Sequence, residues 1–332
     1  MNTDKKLNTA RTVFGVAVFI LSAVIPLNLT LCGDTVLFML FLAAGITASC
    51  WSFSVFRPAV AVTSVILGTT VAVAIQPSAF SLVCSLLSLP FGIAFSIVKN
   101  NKLSRGTAIS IGAGAATLLL IAYFLLNTLV TQGSVTPSSI LIAYEGFFDG
   151  IREAICSSAT ITVAGKTVAL VTPSGADKYL HTIVALIPGV IYVTISMTAY
   201  FSAWLFKRLR KTFNYGNDHF KEWKLSPSPV TSVLFLTVMA LSTVLNGADP
   251  LSYTVLNVAL ILSPILFMSG LNSAFESRMI NGIRLPRLLR PALLIISLLI
   301  GTAAFVAVCL IFGVYDSVKT VLPKRKPSGD QG

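Results

Sequence analysis

The chain has 332 residues, 55% of them hydrophobic and 11% charged. Soluble domains carry about 25% Asp, Glu, Lys and Arg, and a water-soluble globule of this length could not cover its surface with so few. Disordered, fibrous and disulfide-rich secreted classes are excluded by the same apolar excess and by only five cysteines.

The net charge of +12 would point to nucleic acid in a soluble protein. Here the basic residues fall in short loops between apolar runs, the positive-inside pattern of a polytopic membrane protein. The expected partner is therefore a lipid bilayer, with no nucleic acid.

A spanning helix needs about 20 mostly apolar residues. Nine runs qualify: Val13–Leu31, Thr35–Val55, Ala59–Ile75, Phe80–Val98, Thr107–Val130, Leu180–Phe206, Val230–Leu245, Leu251–Asn272 and Leu293–Val314. The third and seventh are short. The pattern predicts an all-α transmembrane bundle of nine spans, with eight as the alternative. Cys32 ends the first run, but Leu31 precedes it where a lipobox needs a small residue, and no small-x-small cleavage site follows. That run is expected to be a retained helix.

Lys and Arg occur before the first run (Lys5, Lys6, Arg11), at Arg57, at Lys99, Lys102 and Arg105, in the basic loop 207–229, and at Arg278, Arg284, Arg287 and Arg290. The intervening loops near Gly33, Gln76 and 246–250 carry none. This alternation predicts a cytoplasmic N-terminus. The tail, 319–332, is an exception: it holds Lys319, Lys324, Arg325 and Lys326, and nine spans would put it outside. Prolines 26, 90, 188 and 264 fall within runs, where kinks are expected. Ala44 and Ala48 on the second run, and Gly106, Ser110 and Gly114 on the fifth, form small-residue stripes for close helix packing or for docking a partner subunit.

Thr131–Tyr179 is the one long insertion, predicted to be extracytoplasmic. Thr136 can cap a helix with Pro137 at its first position. Ile140, Tyr144, Phe147, Ile151 and Ile155 then recur at helical spacing, predicting one amphipathic helix over 137–156. A β-hairpin is expected within 160–171, with strands Thr160–Val163 and Thr167–Val171. Two readings of the helix compete. Its charges are solvated at the membrane surface, or Glu145, Asp149 and Arg152 face a polar ligand beneath a lid.

Lys, Arg, Asp and Glu are absent from the middles of all nine runs, which weighs against proton-coupled antiport or a charged-ion channel. Asn127, Tyr192 and Asn257 are the polar groups that either bond between helices or face a ligand. No catalytic motif, metal-ligand spacing or phosphate loop appears, so neither an enzyme nor a cofactor is expected. In the basic loop, Phe220 and Trp223 beside Arg208 and Arg210 suit an anionic lipid surface or a partner.

Several short motifs resemble those of a bacterial multi-spanning family, the YybS-like proteins. They are Leu186-Ile187-Pro188-Gly189, Phe220-Lys221-Glu222-Trp223-Lys224-Leu225, Asn257, Phe267-Met268-Ser269-Gly270-Leu271 and Phe312-Gly313-Val314-Tyr315-Asp316, with Pro90-Phe91-Gly92 and Lys102-Leu103-Ser104-Arg105-Gly106 earlier in the chain. Asn217-Asp218-His219 and Ser226 stand where the family often has proline. The resemblance implies a bacterial plasma membrane location and a distant similarity to substrate-binding S components of energy-coupling-factor transporters. It thus implies an outward pocket and an ATPase module as partner. The Ala-xxx-Ala stripe that such components carry on their first helix falls here on the second run.

Overall fold

The computed structural model describes residues 35–55, 58–101, 105–158, 160–163, 166–169, 173–212, 227–245, 250–275, 279–280, 283–284 and 289–319, with isolated helical positions between 15 and 25. The chain divides into two compact units, residues 1–220 and 221–332.

In the first unit the helices are α1 (Thr35–Val55), α2 (Pro58–Ile75), α3 (Ala79–Leu86), α4 (Leu89–Asn101), α5 (Arg105–Gln132), α6 (Pro137–Ala143), α7 (Glu145–Ser158) and α8 (Pro173–Thr212). Strands β1 (Thr160–Val163) and β2 (Lys166–Ala169) pair antiparallel, Val163 opposite Lys166. The second unit holds α9 (Pro229–Val244), α10 (Pro250–Phe275), β3 (Met279–Ile280), β4 (Ile283–Arg284), α11 (Leu289–Ile300) and α12 (Thr302–Lys319).

Seven stretches among the described residues are long and apolar enough to cross a bilayer: Val36–Phe53, Pro58–Ile75, Ala79–Ile97, Gly106–Gln132, Gly175–Arg208, Pro250–Ser273 and Thr302–Lys319. Their outward faces stay apolar. Ile66, Leu67, Leu118 and Leu126 are all exposed, a surface that lipid tolerates and water does not.

Three apolar runs differ from single straight spans. The fourth divides between Leu86 and Leu89. Pro90 has no N–H to offer the Leu86 carbonyl, so the helix restarts there. The seventh gives only the 16 residues of α9. The ninth is not one helix: it breaks at Gly301, whose φ is 151°. Leu294 and Cys309 lie in one buried cluster with Phe267, Leu271, Phe305, Val308 and Phe312. On a continuous helix they would stand about 22 Å apart, so the chain doubles back at Gly301 and α12 returns alongside α11. Prolines 188 and 264, by contrast, sit inside unbroken α8 and α10.

In the first unit, α1, α4, α5 and α8 pack side by side as a four-helix group, α1 on α4 and α8, and α5 on the same two. Small residues set the contacts. Gly92 lies against Ser49 and Phe53, and Gly112 lies under the ring of Phe91. Near one end Trp51 meets Phe206 edge-on at 5.2 Å, and the Thr47 hydroxyl donates to the Ser202 carbonyl at 3.4 Å. Helix α8 has 40 residues, about 60 Å in length. That is roughly twice a bilayer's hydrocarbon core, so it extends past the bundle.

In the second unit α10 and α12 are pressed together. A Cβ on Gly270 would stand 1.8 Å from the Cys309 carbonyl oxygen. Phe235, Val238, Val255, Ala259 and Leu266 form the neighbouring core of α9 and α10.

Candidate functional site

The insertion after α5 folds back as a cap. Thr136 is the N-cap of α6, its hydroxyl accepting from the Ser139 amide at 3.1 Å, with Pro137 in the first turn. The expected single helix over 137–156 is two, because the backbone at Tyr144 leaves helical geometry (φ −124°, ψ 33°). Helix α7 then starts with Glu145, an acid well placed at a helix N-terminus. The apolar face of the cap is paid out against α8: Phe148, Leu180 and Val184 are buried together, with Ile140, Leu141, Tyr144, Ile151, Ile155, Ile183 and Ile187 around them. Ile140, Tyr144, Ile151 and Ile155 keep the spacing read from the sequence, but the expected Phe147 is 68% exposed, and Phe148, four on from Tyr144 and three before Ile151, is the buried ring.

Two sets of polar contacts latch the cap. The Asn127 amide donates to the Tyr144 hydroxyl at 2.9 Å, and that hydroxyl donates to the Phe124 carbonyl at 3.5 Å. The Tyr144 ring also packs edge-on against Phe124 at 5.2 Å. At the other end of the cap, Arg152 Nε donates to Asp177 at 3.1 Å, and its Nη1 pairs with Asp149. The hydrogen bond to Asp177 pushes the Arg152 guanidinium above its ordinary range, opposed by desolvation and helped by the charges of Asp177, Asp149 and Glu145. One side of the clamp is on α7 and the other on the first turns of α8.

Of the residues singled out in the sequence, the structure therefore brings together Asn127 with Tyr144, and Arg152 with Asp149. Glu145 is exposed at the start of α7. Tyr192 lies half-buried on α8 and Asn257 half-buried on α10, in separate units. Ala48 is buried within the first unit, and Ala44 is half-buried on the same helix. The Arg208 guanidinium stands 5.7 Å from the centre of the Trp204 ring, a cation–π contact. Arg210 falls in the last turns of α8, while Phe220 and Trp223 lie outside the described residues. Cys50, Cys84, Cys156 and Cys309 are free thiols, three of them buried. Among the described residues no group of three His, Cys, Asp or Glu side chains is placed to hold a metal.

One buried ionisable side chain escaped the sequence reading. Asp316 is 5% exposed on α12 and shares its inward face with Cys309, Gly313 and Ser317. Ser317 hydrogen-bonds to Ser232 of α9. The ninth apolar run ends at Val314, so Asp316 enters the sequence analysis only as the last residue of a family motif. The spacing 309, 313, 316, 317 is the signal that places it on the packed face.

Apolar helices of spanning length, small-residue contacts between them and an amphipathic cap define a multi-pass helical membrane protein. Residues 21–317 match the family described as predicted membrane protein (DUF2232), and the chain belongs to that family. No curated protein and no solved structure matches it.

Proposed function

We propose that this is a non-enzymatic protein of the bacterial plasma membrane, with a cytoplasmic N-terminus, that binds a small molecule and assists its passage. In this reading it is a YybS-like protein with a distant similarity to energy-coupling-factor S components, and an ATPase module is its partner in the membrane. The cap is the gate on the outward side. The observation that carries this is the latch: Tyr144 joins the cap to α5 through Asn127 and the Phe124 carbonyl. A few hydrogen bonds of about 1 kcal/mol each suit a contact that opens and closes.

The ligand is uncharged in this reading, because the cap's guanidinium is engaged by Asp149 and Asp177. Purification of the full-length protein in mild detergent, with identification of what stays bound, tests the proposal. A reproducible small molecule or an ATPase module supports it. The second reading is a membrane scaffold without a transported ligand. It is favoured by the same engagement of Arg152 and Asn127, which serves the fold as well as a gate, and by an empty protein joined to assembly machinery in the purification.

A further inference from the structure

Helix α7 presents three faces. Phe148 packs with Leu180 and Val184 of α8. At about 100° per residue, Glu145 and Asp149 stand about 160° around the helix from Phe147, Arg152 about 140° and Glu153 about 120°. All four charged residues thus lie on the half turned away from Phe147, and Glu145 and Glu153 are exposed. Ile151 and Ala154 fall within about 40° of Phe147. Phe147 itself is 68% exposed, and Ile142 in the last turn of α6 is 60% exposed. One side of the helix therefore rests on α8, a second carries the charges, and a third leaves a large ring bare.

Two helices give the level at which this ring sits. Along α5, Phe124 and Asn127, which hold Tyr144 of the cap, lie about 28 and 33 Å from Arg105 at the start of the helix. At the basic end of α8, Trp204 stacks on Phe201 with ring centroids 5.8 Å apart, and Arg208 stands over its ring. Tryptophan beside a cation favours the membrane–water interface. Val184 and Leu180, beneath the cap, lie about 30 and 36 Å back along α8 from Trp204. A hydrocarbon core is about 30 Å thick, so both helices place the cap at the boundary of the core farthest from their basic ends. The exposed apolar surface of α5, at Leu125, Leu126 and Leu129, runs up to the same level.

We infer that α7 is an interfacial helix lying flat in the outer leaflet, with Phe147 among the acyl chains and Glu145, Asp149, Arg152 and Glu153 in the headgroup layer. The partner of the cap's bare face is phospholipid. The charges run from Glu145 to Glu153, about 12 Å along the axis, so an upright helix would submerge some of them. A flat one keeps all of them out of the hydrocarbon while its apolar side dips in. The cap is then held by lipid as well as by α5 and α8. The inference needs the cap to lie across the membrane from the basic ends of α5 and α8, and it holds with or without a transported ligand.

The test uses the full-length chain in nanodiscs of phosphatidylethanolamine and phosphatidylglycerol. With the native cysteines replaced, Phe147→Cys and Glu153→Cys are spin-labelled, and their collisions with oxygen and with a water-soluble nickel chelate are compared. The label at 147 should lie about 5–10 Å below the headgroup boundary, shielded from nickel, and the label at 153 should be open to it. A second measurement leaves the cysteines in place: Phe147→p-benzoylphenylalanine is irradiated and the protein weighed. It should gain the mass of a phospholipid, and Glu153→p-benzoylphenylalanine should not. Equal nickel access at 147 and 153 overturns the inference and leaves the small-molecule reading standing. A protein adduct in place of lipid at 147 overturns it too, because a second chain then covers the ring.

Discussion

Gly313 of α12 lies directly against the Leu266 carbonyl of α10, so that a methyl group there would stand 2.0 Å from the carbonyl oxygen. Gly270 meets the Cys309 carbonyl in the same way. The atoms in the way are backbone, and backbone moves only if the helices part. Overpacking of this kind costs about 1–3 kcal/mol or more. Gly313→Ala and Gly270→Ala should each lower the thermal unfolding midpoint in detergent. Gly150→Ala, where the added methyl meets nothing within 4 Å, should leave it unchanged or raise it, since alanine favours a helix over glycine by up to about 1 kcal/mol. Equal effects at all three positions would contradict the close approach.

Tyr144 ties the cap to α5 through one hydroxyl, bonded to Asn127 and to the Phe124 carbonyl. Tyr144→Phe keeps the ring contact with Phe124 and deletes the bonds to Asn127 and the Phe124 carbonyl. It should cost about 1–2 kcal/mol, concentrated in the cap. Hydrogen exchange should quicken over 137–158 while α1 and α4 stay protected. Uniform loosening of the whole unit would mean that the hydroxyl holds more than the cap.

The Arg152 clamp predicts a smaller effect. Arg152, Asp149 and Asp177 are at least a third exposed, and exposed ion pairs are worth about 0–1 kcal/mol. Arg152→Ala and Asp177→Asn should each shift stability by less than about 1 kcal/mol. The double variant should cost less than the sum of the two, because they share one bond. Raising salt should shrink the difference from wild type. Full additivity would show that the two groups act separately.

The glycine at the Gly301 reversal can be tested by thermal unfolding in detergent. Gly301→Ala should be destabilising by about 1–3 kcal/mol, since a φ of 151° is strained for any residue with a Cβ.

How legible was this molecule in its sequence? Apolar runs mark the helices because a bilayer demands continuous greasy segments, and most of the cap's face follows from the spacing of Ile140, Tyr144, Ile151 and Ile155, although Phe148 and not Phe147 is the ring it buries. Breaks inside runs are harder to see. Pro90 divides one run while Pro188 and Pro264 leave theirs intact, and Gly301 turns the chain with no proline at all. The sequence presents Asn127 and Arg152 as free polar groups, but it does not pair them. Their partners, Tyr144 and Asp177, sit 17 and 25 positions away, and only the packed fold brings them near.

The account depends most on these helices being threaded through lipid. Fractionation of lysed cells, with the membranes washed in alkaline carbonate, measures this directly. The chain should remain in the membrane pellet after the wash and be released only by detergent. Its appearance in the carbonate supernatant would contradict the account.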